Sequence, residues 1–151
     1  MSRLLIIGYV WPEPESSAAG SRMMQLIQFF RQEGYEVIFA TTAQVSVFRA
    51  DLESLGVRAE SIELNNESFD HFLRNYTPHV VLFDRFMMEE QFGWRVSEVC
   101  PKAIKILDTE DLHFLRKARE AAIKKNEQIT PALLRSDTAK REIASIYRCD
   151  L

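Results

Sequence analysis

Few cysteines, few glycines and no long apolar run: each of these shortages removes a class of protein. The 151 residues hold two cysteines, Cys100 and Cys149, too few and too far apart for a CxxC pair, a cysteine metal quartet or a disulfide framework. Reduced thiols in a cytoplasmic protein are the simplest expectation. No stretch approaches the ~20 apolar residues of a membrane span, and the N-terminus lacks a signal-peptide pattern. An excess of basic charge is also missing. The net charge is −3, which argues against non-specific nucleic-acid binding. With five glycines and five prolines the chain has no low-complexity tract, repeat or flexible linker, and a G-x-G-x-x-G fingerprint is absent after the first apolar run. That absence excludes an ordinary nicotinamide-binding domain.

What is present is an alternation. Hydrophobic residues make up 46% of the chain and charged ones 27%, enough for one soluble domain spanning residues 1–151 with a full core. Apolar runs predict strands over Leu4–Tyr9, Glu36–Thr41, Arg58–Leu64, His79–Asp84 and Ala103–Asp108. Helical spacing predicts helices over Ala19–Glu33, Val47–Leu55, Asn66–Asn75, Phe86–Val99, Leu112–Asn126 and Asp137–Tyr147. Gly34, Gly56, Pro78 and Pro101 each stand shortly before a strand, where a helix must end. Strands alternating with helices imply an α/β fold: a doubly wound parallel sheet with helices on both faces. The expected strand order is 3-2-1-4-5, with the first strand central.

In such a sheet, ligands collect at the carboxyl ends of the strands. After the first strand comes the loop WPEPESSAAGSR, whose Ala18, Ala19, Gly20 and Ser21 are small enough to let a phosphate or carboxylate approach a helix N-terminus. The alternative is that these residues only let the helix pack closely. After the fourth strand come Asp84 and Arg85. After the fifth comes the densest group, Asp108-Thr109-Glu110-Asp111-Leu112-His113-Phe114-Leu115-Arg116. Carboxylates and imidazole suit polyols, and guanidinium suits phosphate. The competing reading makes Asp108 and Thr109 helix caps, Glu110 and Asp111 complements to the helix dipole, and His113 a packed side chain. The segment Arg116 to Gln128 carries five basic residues against two acidic ones; it is a solvated face or a contact for an anionic surface.

The PEPESSAAGSR loop, the EGYEV entry to the second strand and the DTEDLHFLR stretch together resemble the N-terminal half of GT-B glycosyltransferases, particularly the family 4 type. Family members usually carry two adjacent glycines in the first loop, where this chain has Ala18-Ala19 before a single Gly20. The resemblance implies a Rossmann-like, acceptor-side domain of a retaining enzyme that uses a nucleotide-sugar donor. Its partners would be a C-terminal donor-binding domain and a glycan or lipid-linked acceptor, at or near the inner membrane face. No metal or other cofactor would be required, because a helix N-terminus and basic side chains stabilise the leaving diphosphate.

By the same resemblance, His113 or Asp111 would stand near the transferred sugar. Ala18, Ala19, Gly20 and Ser21 would offer amides to the donor phosphate, and Asp84, Arg85, Glu110 and Arg116 would contact acceptor. The family's donor domain carries two glutamates separated by seven residues, a spacing that Glu90 and Glu98 share. On one helix that pair stands ~80° apart, which is not a clamp. The expectation is a fragment of a longer enzyme, inactive alone, because the sequence reaches Ile146–Leu151 where a further strand should begin. The rival expectation is a non-enzymatic regulatory or interaction domain.

Overall fold

A computed structural model describes residues 1–151. Five strands, β1 (Arg3–Gly8), β2 (Glu36–Thr41), β3 (Arg58–Ser61), β4 (Val80–Asp84) and β5 (Ile104–Asp108), alternate with helices. The helices are α1 (Ala18–Gln32), α2 (Glu67–Tyr76), α3 (Phe86–Val99), α4 (His113–Lys125) and α5 (Asp137–Arg148). All strand pairs are parallel, in the order β3-β2-β1-β4-β5. The Rossmann-like doubly wound arrangement expected from the alternation is the one found.

Successive residues of a strand face opposite sides of the sheet, and here both sides are covered. Leu5 and Ile7, with Val81 and Phe83, pack on one side against Phe69 and Leu73 of α2 and Phe92 of α3. Leu4 and Ile6, with Phe39 and Leu82, pack on the other against Met23 and Ile27 of α1. That is why β1 reads as an unbroken apolar run. At the amino edge of the sheet, the buried Tyr76 hydroxyl reaches the carbonyl oxygens of Leu4 (3.1 Å) and Glu36 (2.9 Å). Burial pushes this phenol's pKa well up, so it stays protonated and keeps tying α2 to β1 and β2. Helix α1 ends in a Schellman arrangement, Tyr35 N–H to Phe30 O and Gly34 N–H to Arg31 O, with Gly34 at φ 80°.

Two expected elements differ. Residues Val47–Leu55 do not form a helix; only a 3-10 turn, Glu53–Leu55, remains. The segment is held instead by distant partners: Ala50 N–H bonds Pro12 O at 2.9 Å, and the Arg49 guanidinium lies 4.7 Å from the centre of the Trp11 ring. Leu52 is buried, whereas Val47 and Phe48 project outward. Strand β3 stops at Ser61, short of the expected Leu64, because the chain turns through Asn65 at φ 55° into the Asn66 cap of α2. Helix α5 buries small and polar residues and leaves larger apolar ones outside. Ala139, Glu142 and Ser145 point inward, while Ile143, Ile146 and Tyr147 remain exposed. Beyond it, Asp150 N–H bonds Lys105 O (2.8 Å) and Leu107 N–H bonds Leu151 O (2.9 Å), a parallel pairing along the outer edge of β5.

Removing the Tyr76 hydroxyl should cost about 1 kcal/mol, the net worth of one buried hydrogen bond. Tyr76→Phe should therefore melt below the parent chain at neutral pH by thermal unfolding followed by circular dichroism. The raised phenol pKa adds a sign. Its stabilising contribution is complete below the unfolded value near 10 and is lost as pH rises through the folded value. The deficit of Tyr76→Phe should shrink at strongly alkaline pH.

Candidate functional site at the carboxyl edge of the sheet

Chain leaving β1 folds back on itself before α1. The amides of Ser16 and Ser17 both donate to Glu13 O, at 3.0 and 3.1 Å, and Trp11 Nε1 donates to Ala43 O at 3.0 Å. Trp11 packs on Phe39, ring centres 5.7 Å apart, and fixes the floor of the loop. Ser17 caps α1, its Oγ accepting the Gly20 amide at 3.0 Å, and Ser17 O accepts the Ser21 amide at 3.1 Å. Ser21 Oγ donates to Pro14 O at 2.8 Å. Two of the four expected phosphate donors are thus corrected: the Gly20 and Ser21 amides are occupied within the turn. Gly20 is small for a packing reason, since a Cβ there would lie 2.4 Å from Glu13 O. The amides of Ala18 and Ala19 have no partner in the chain, as befits the first turn of a helix.

Asp84 ends β4 directly beside this loop. Its Oδ2 accepts the Tyr9 amide at 3.1 Å, and Arg85 Nε stands 3.6 Å from Oδ1. The parallel register sets Asp84 opposite Asp108 of β5, so two buried carboxylates lie side by side at the carboxyl edge. Burial pushes the Asp84 carboxyl above the usual carboxylate range; Arg85 and the Tyr9 amide oppose this, and Asp108 and Glu110 add to it. Arg85 adopts φ 76°, unusual for a residue with a side chain. Its amide donates to Asp108 O at 2.8 Å and its guanidinium covers Tyr9 at 4.8 Å, while Nε is buried with no hydrogen bond. Strain at a strand end, held by surrounding contacts, is a common mark of a working site. A cavity of about 140 Å³ opens here, lined by Trp11, Ser17, Ala19, Gly20, Met23, Asp84 and Arg85.

The residues after β5 form a second, adjoining cluster. Asp108 is not the cap of α4 that its position suggests. Its Oδ2 pairs with Arg22 of α1, and its Oδ1 accepts the Glu110 amide at 3.0 Å. Glu110 itself takes φ 59°, turning the chain toward α4. The α4 cap comes from far along the sequence. Glu142 of α5, fully buried, accepts the amides of His113 (3.0 Å) and Phe114 (2.8 Å). His113 is buried, edge-on to Phe86, with Nδ1 3.5 Å from Asp111 Oδ1 and 3.4 Å from Glu142 Oε1. Asp111 Oδ2 also faces Arg116 Nε at 3.3 Å.

The structure therefore brings Ala19, Gly20, Asp84 and Arg85 together around the cavity, leaves Ala18 outside its lining, and groups Asp111, His113 and Arg116 separately at the start of α4. Sequence reasoning gave no site role to Trp11, Ser17, Arg22 or Glu142. A serine pair directly before a helical pattern is a readable cap signal; Glu142 carries none beyond an acidic residue three positions from the buried Ala139 and Ser145. Glu90 and Glu98 form no clamp: Glu90 pairs bidentately with Arg141, at 2.8 and 2.9 Å. No group of three or more His, Cys, Asp or Glu is placed to hold a metal ion, and no helix is long and apolar enough to cross a membrane. No protein-family model matches the chain, and no curated protein is significantly similar to it.

Gly20→Ala would gain up to ~1 kcal/mol of helix propensity but set a methyl group against backbone that cannot swing away. The clash should win, and the variant should lose about 1–3 kcal/mol in a denaturant titration. Asp84→Asn should behave oppositely. A carboxyl whose folded pKa is raised contributes its full stability below the unfolded value and loses it as pH rises through the folded value. At pH 7, above the unfolded value, the ionisation of Asp84 thus weighs against the fold, so Asp84→Asn should melt above the parent. The advantage should fade as pH is lowered toward the ordinary carboxylate value of 3.8. An unchanged difference across that range would show that Asp84 does not titrate as its burial requires.

Proposed function

We propose that this chain is the acceptor-side domain of a retaining glycosyltransferase that moves a sugar from a nucleotide-sugar to a glycan or lipid-linked acceptor. The carrying observation is the convergence at one sheet edge of two unpaired α1 amides, Ala18 and Ala19, with the Asp84 carboxyl and the half-buried Arg85, whose enclosed Nε has no hydrogen bond. Unpaired amides at a helix N-terminus favour a phosphate oxygen. A carboxyl with a raised pKa beside them accepts or donates a hydrogen bond to a sugar hydroxyl. In this reading a second Rossmann-like domain holds most of the donor, and Arg116 and Glu110 face the acceptor side. His113 or Asp111 contacts the transferred sugar. Contact with a membrane surface through the basic α4 belongs to the same proposal.

One observation favours the alternative, a non-enzymatic α/β interaction domain. The cavity of about 140 Å³ is smaller than the ~300–1,000 Å³ of ordinary ligand pockets. On the transferase reading that is expected of half a cleft.

The two readings separate in one experiment. The 151-residue chain is titrated with nucleoside diphosphates and nucleotide-sugars while its backbone amides are followed by NMR, and sugar transfer to lipid and glycan acceptors is assayed in parallel. The expected result is millimolar-range perturbation centred on Ala18 and Ala19 and no turnover, because the geometry that makes transfer effectively intramolecular is incomplete. Robust turnover would overturn the two-domain reading. A silent carboxyl edge would favour the interaction domain.

A further inference from the structure

Glu142 touches the start of α4 in two ways. Its carboxylate accepts the His113 and Phe114 amides at 3.0 and 2.8 Å, and the oxygen that takes the His113 amide also lies 3.4 Å from His113 Nδ1. Asp111 Oδ1 stands 3.5 Å from the same nitrogen. His113 Nδ1 and Asp111 Oδ1 are both enclosed, and neither makes a well-formed hydrogen bond. The ring's other neighbours add no competing donor: Phe86 of α3 meets it edge-on, and Arg116 is turned toward the far oxygen of Asp111.

A bare Nδ1 would set its lone pair within 3.4 and 3.5 Å of two carboxylate oxygens, at an atom enclosed from water. A protonated Nδ1 sets a positive hydrogen in the field of the same two oxygens, with neither on its hydrogen-bond axis. Electrostatics in a poorly screened interior separates these two states clearly. Nε2 makes no bond within the chain and is not among the ring's enclosed atoms, so it is free to accept.

We infer that Glu142 is a positioning residue for His113. It holds the neutral imidazole in the Nδ1–H tautomer and leaves Nε2 as a hydrogen-bond acceptor for a substrate hydroxyl. The hydroxyl as partner rests on the glycosyltransferase reading; the tautomer does not. A histidine's tautomer is set by what its other nitrogen meets. Here that partner comes from α5, 29 residues along the chain, and the same carboxylate fixes where α4 begins. Cap and tautomer are one device.

The tautomer is read directly from the imidazole nitrogen shifts of chain carrying 15N-labelled histidine, at a pH high enough that the signals no longer move. His79 is a built-in opposite, because its Nδ1 accepts the Arg3 amide at 3.0 Å and must therefore be bare. Wild-type chain should show His113 as Nδ1–H and His79 as Nε2–H. In Glu142→Gln, His113 should shift substantially toward Nε2–H while the His79 signals stay in place. Asp111→Asn leaves the α4 cap untouched and should keep His113 as Nδ1–H.

Finding Nε2–H at His113 in the wild-type chain would overturn the inference without any variant. Undiminished Nδ1–H in folded Glu142→Gln would overturn it too, and loss of Nδ1–H in Asp111→Asn would reassign the hold to Asp111. No sugar enters the measurement. The expected tautomer together with a carboxyl edge silent to nucleotide-sugars would therefore sink the transferase reading alone.

Discussion

Everything in this molecule hangs on the burial of β1. Leu4, Leu5, Ile6 and Ile7 are each 0% exposed, and every one of them is flanked by β2 on one side and β4 on the other. Backbone groups in that position have no water to bond, so both neighbouring registers must be satisfied at once. Fixing Leu4 opposite both Val37 and Val80 fixes where β2 and β4 end. That in turn decides which side chains emerge at the carboxyl edge. Tyr9 meets Asp84 because the β1–β4 register puts them there, and Asp84 meets Asp108 for the same reason one strand further along.

Carboxylates at that edge are expensive, and the chain answers each with a different device. Asp84 receives a backbone amide and a nearby guanidinium; Asp108 receives Arg22 and an amide; Glu142 receives two amides at a helix N-terminus, where the helix dipole also favours its charge. Polar groups satisfied by long-range partners act as registration marks between elements. Arg22 locks α1 to β5, and Glu142 locks α5 to α4. Buried polar atoms without a hydrogen bond are spread over the molecule: Arg85 Nε beside the cavity, Asp111 Oδ1 and His113 Nδ1 at the start of α4, Arg3 Nε at the amino edge and Asp70 Oδ1 on α2.

The strands were legible because their signal is local and strong. An apolar tetrad such as Val80-Val81-Leu82-Phe83 has nowhere to go but a covered sheet, and the strand order is the one a doubly wound fold implies. Asp84 and Arg85 were legible by position alone, as polar residues closing such a run. The segment Val47–Leu55 was not legible, because its apolar spacing suits a helix and only contact with Trp11 and Pro12 decides otherwise. Gly20 and Ser21 were misread for a related reason. Small residues at a helix start suit both a ligand and a neighbouring loop, and the Glu13 backbone, out of sight in a linear reading, takes the space. Glu142 belongs to the same class: an isolated acidic residue on a helix whose apolar side turns out to face solvent.

A sheet made only of crossovers contains no hairpin, and this governs the order in which the molecule can assemble. The central strand must wait for partners that begin 33 and 76 residues later, each delivered by an intervening helix or loop. Such non-local pairings make folding slow and leave the apolar strands uncovered in the meantime. The junction of Tyr9 with Asp84 cannot exist until β4 docks, so the candidate site is among the last parts of the domain to take shape. Binding there, by whatever ligand, would select only molecules that have already finished folding.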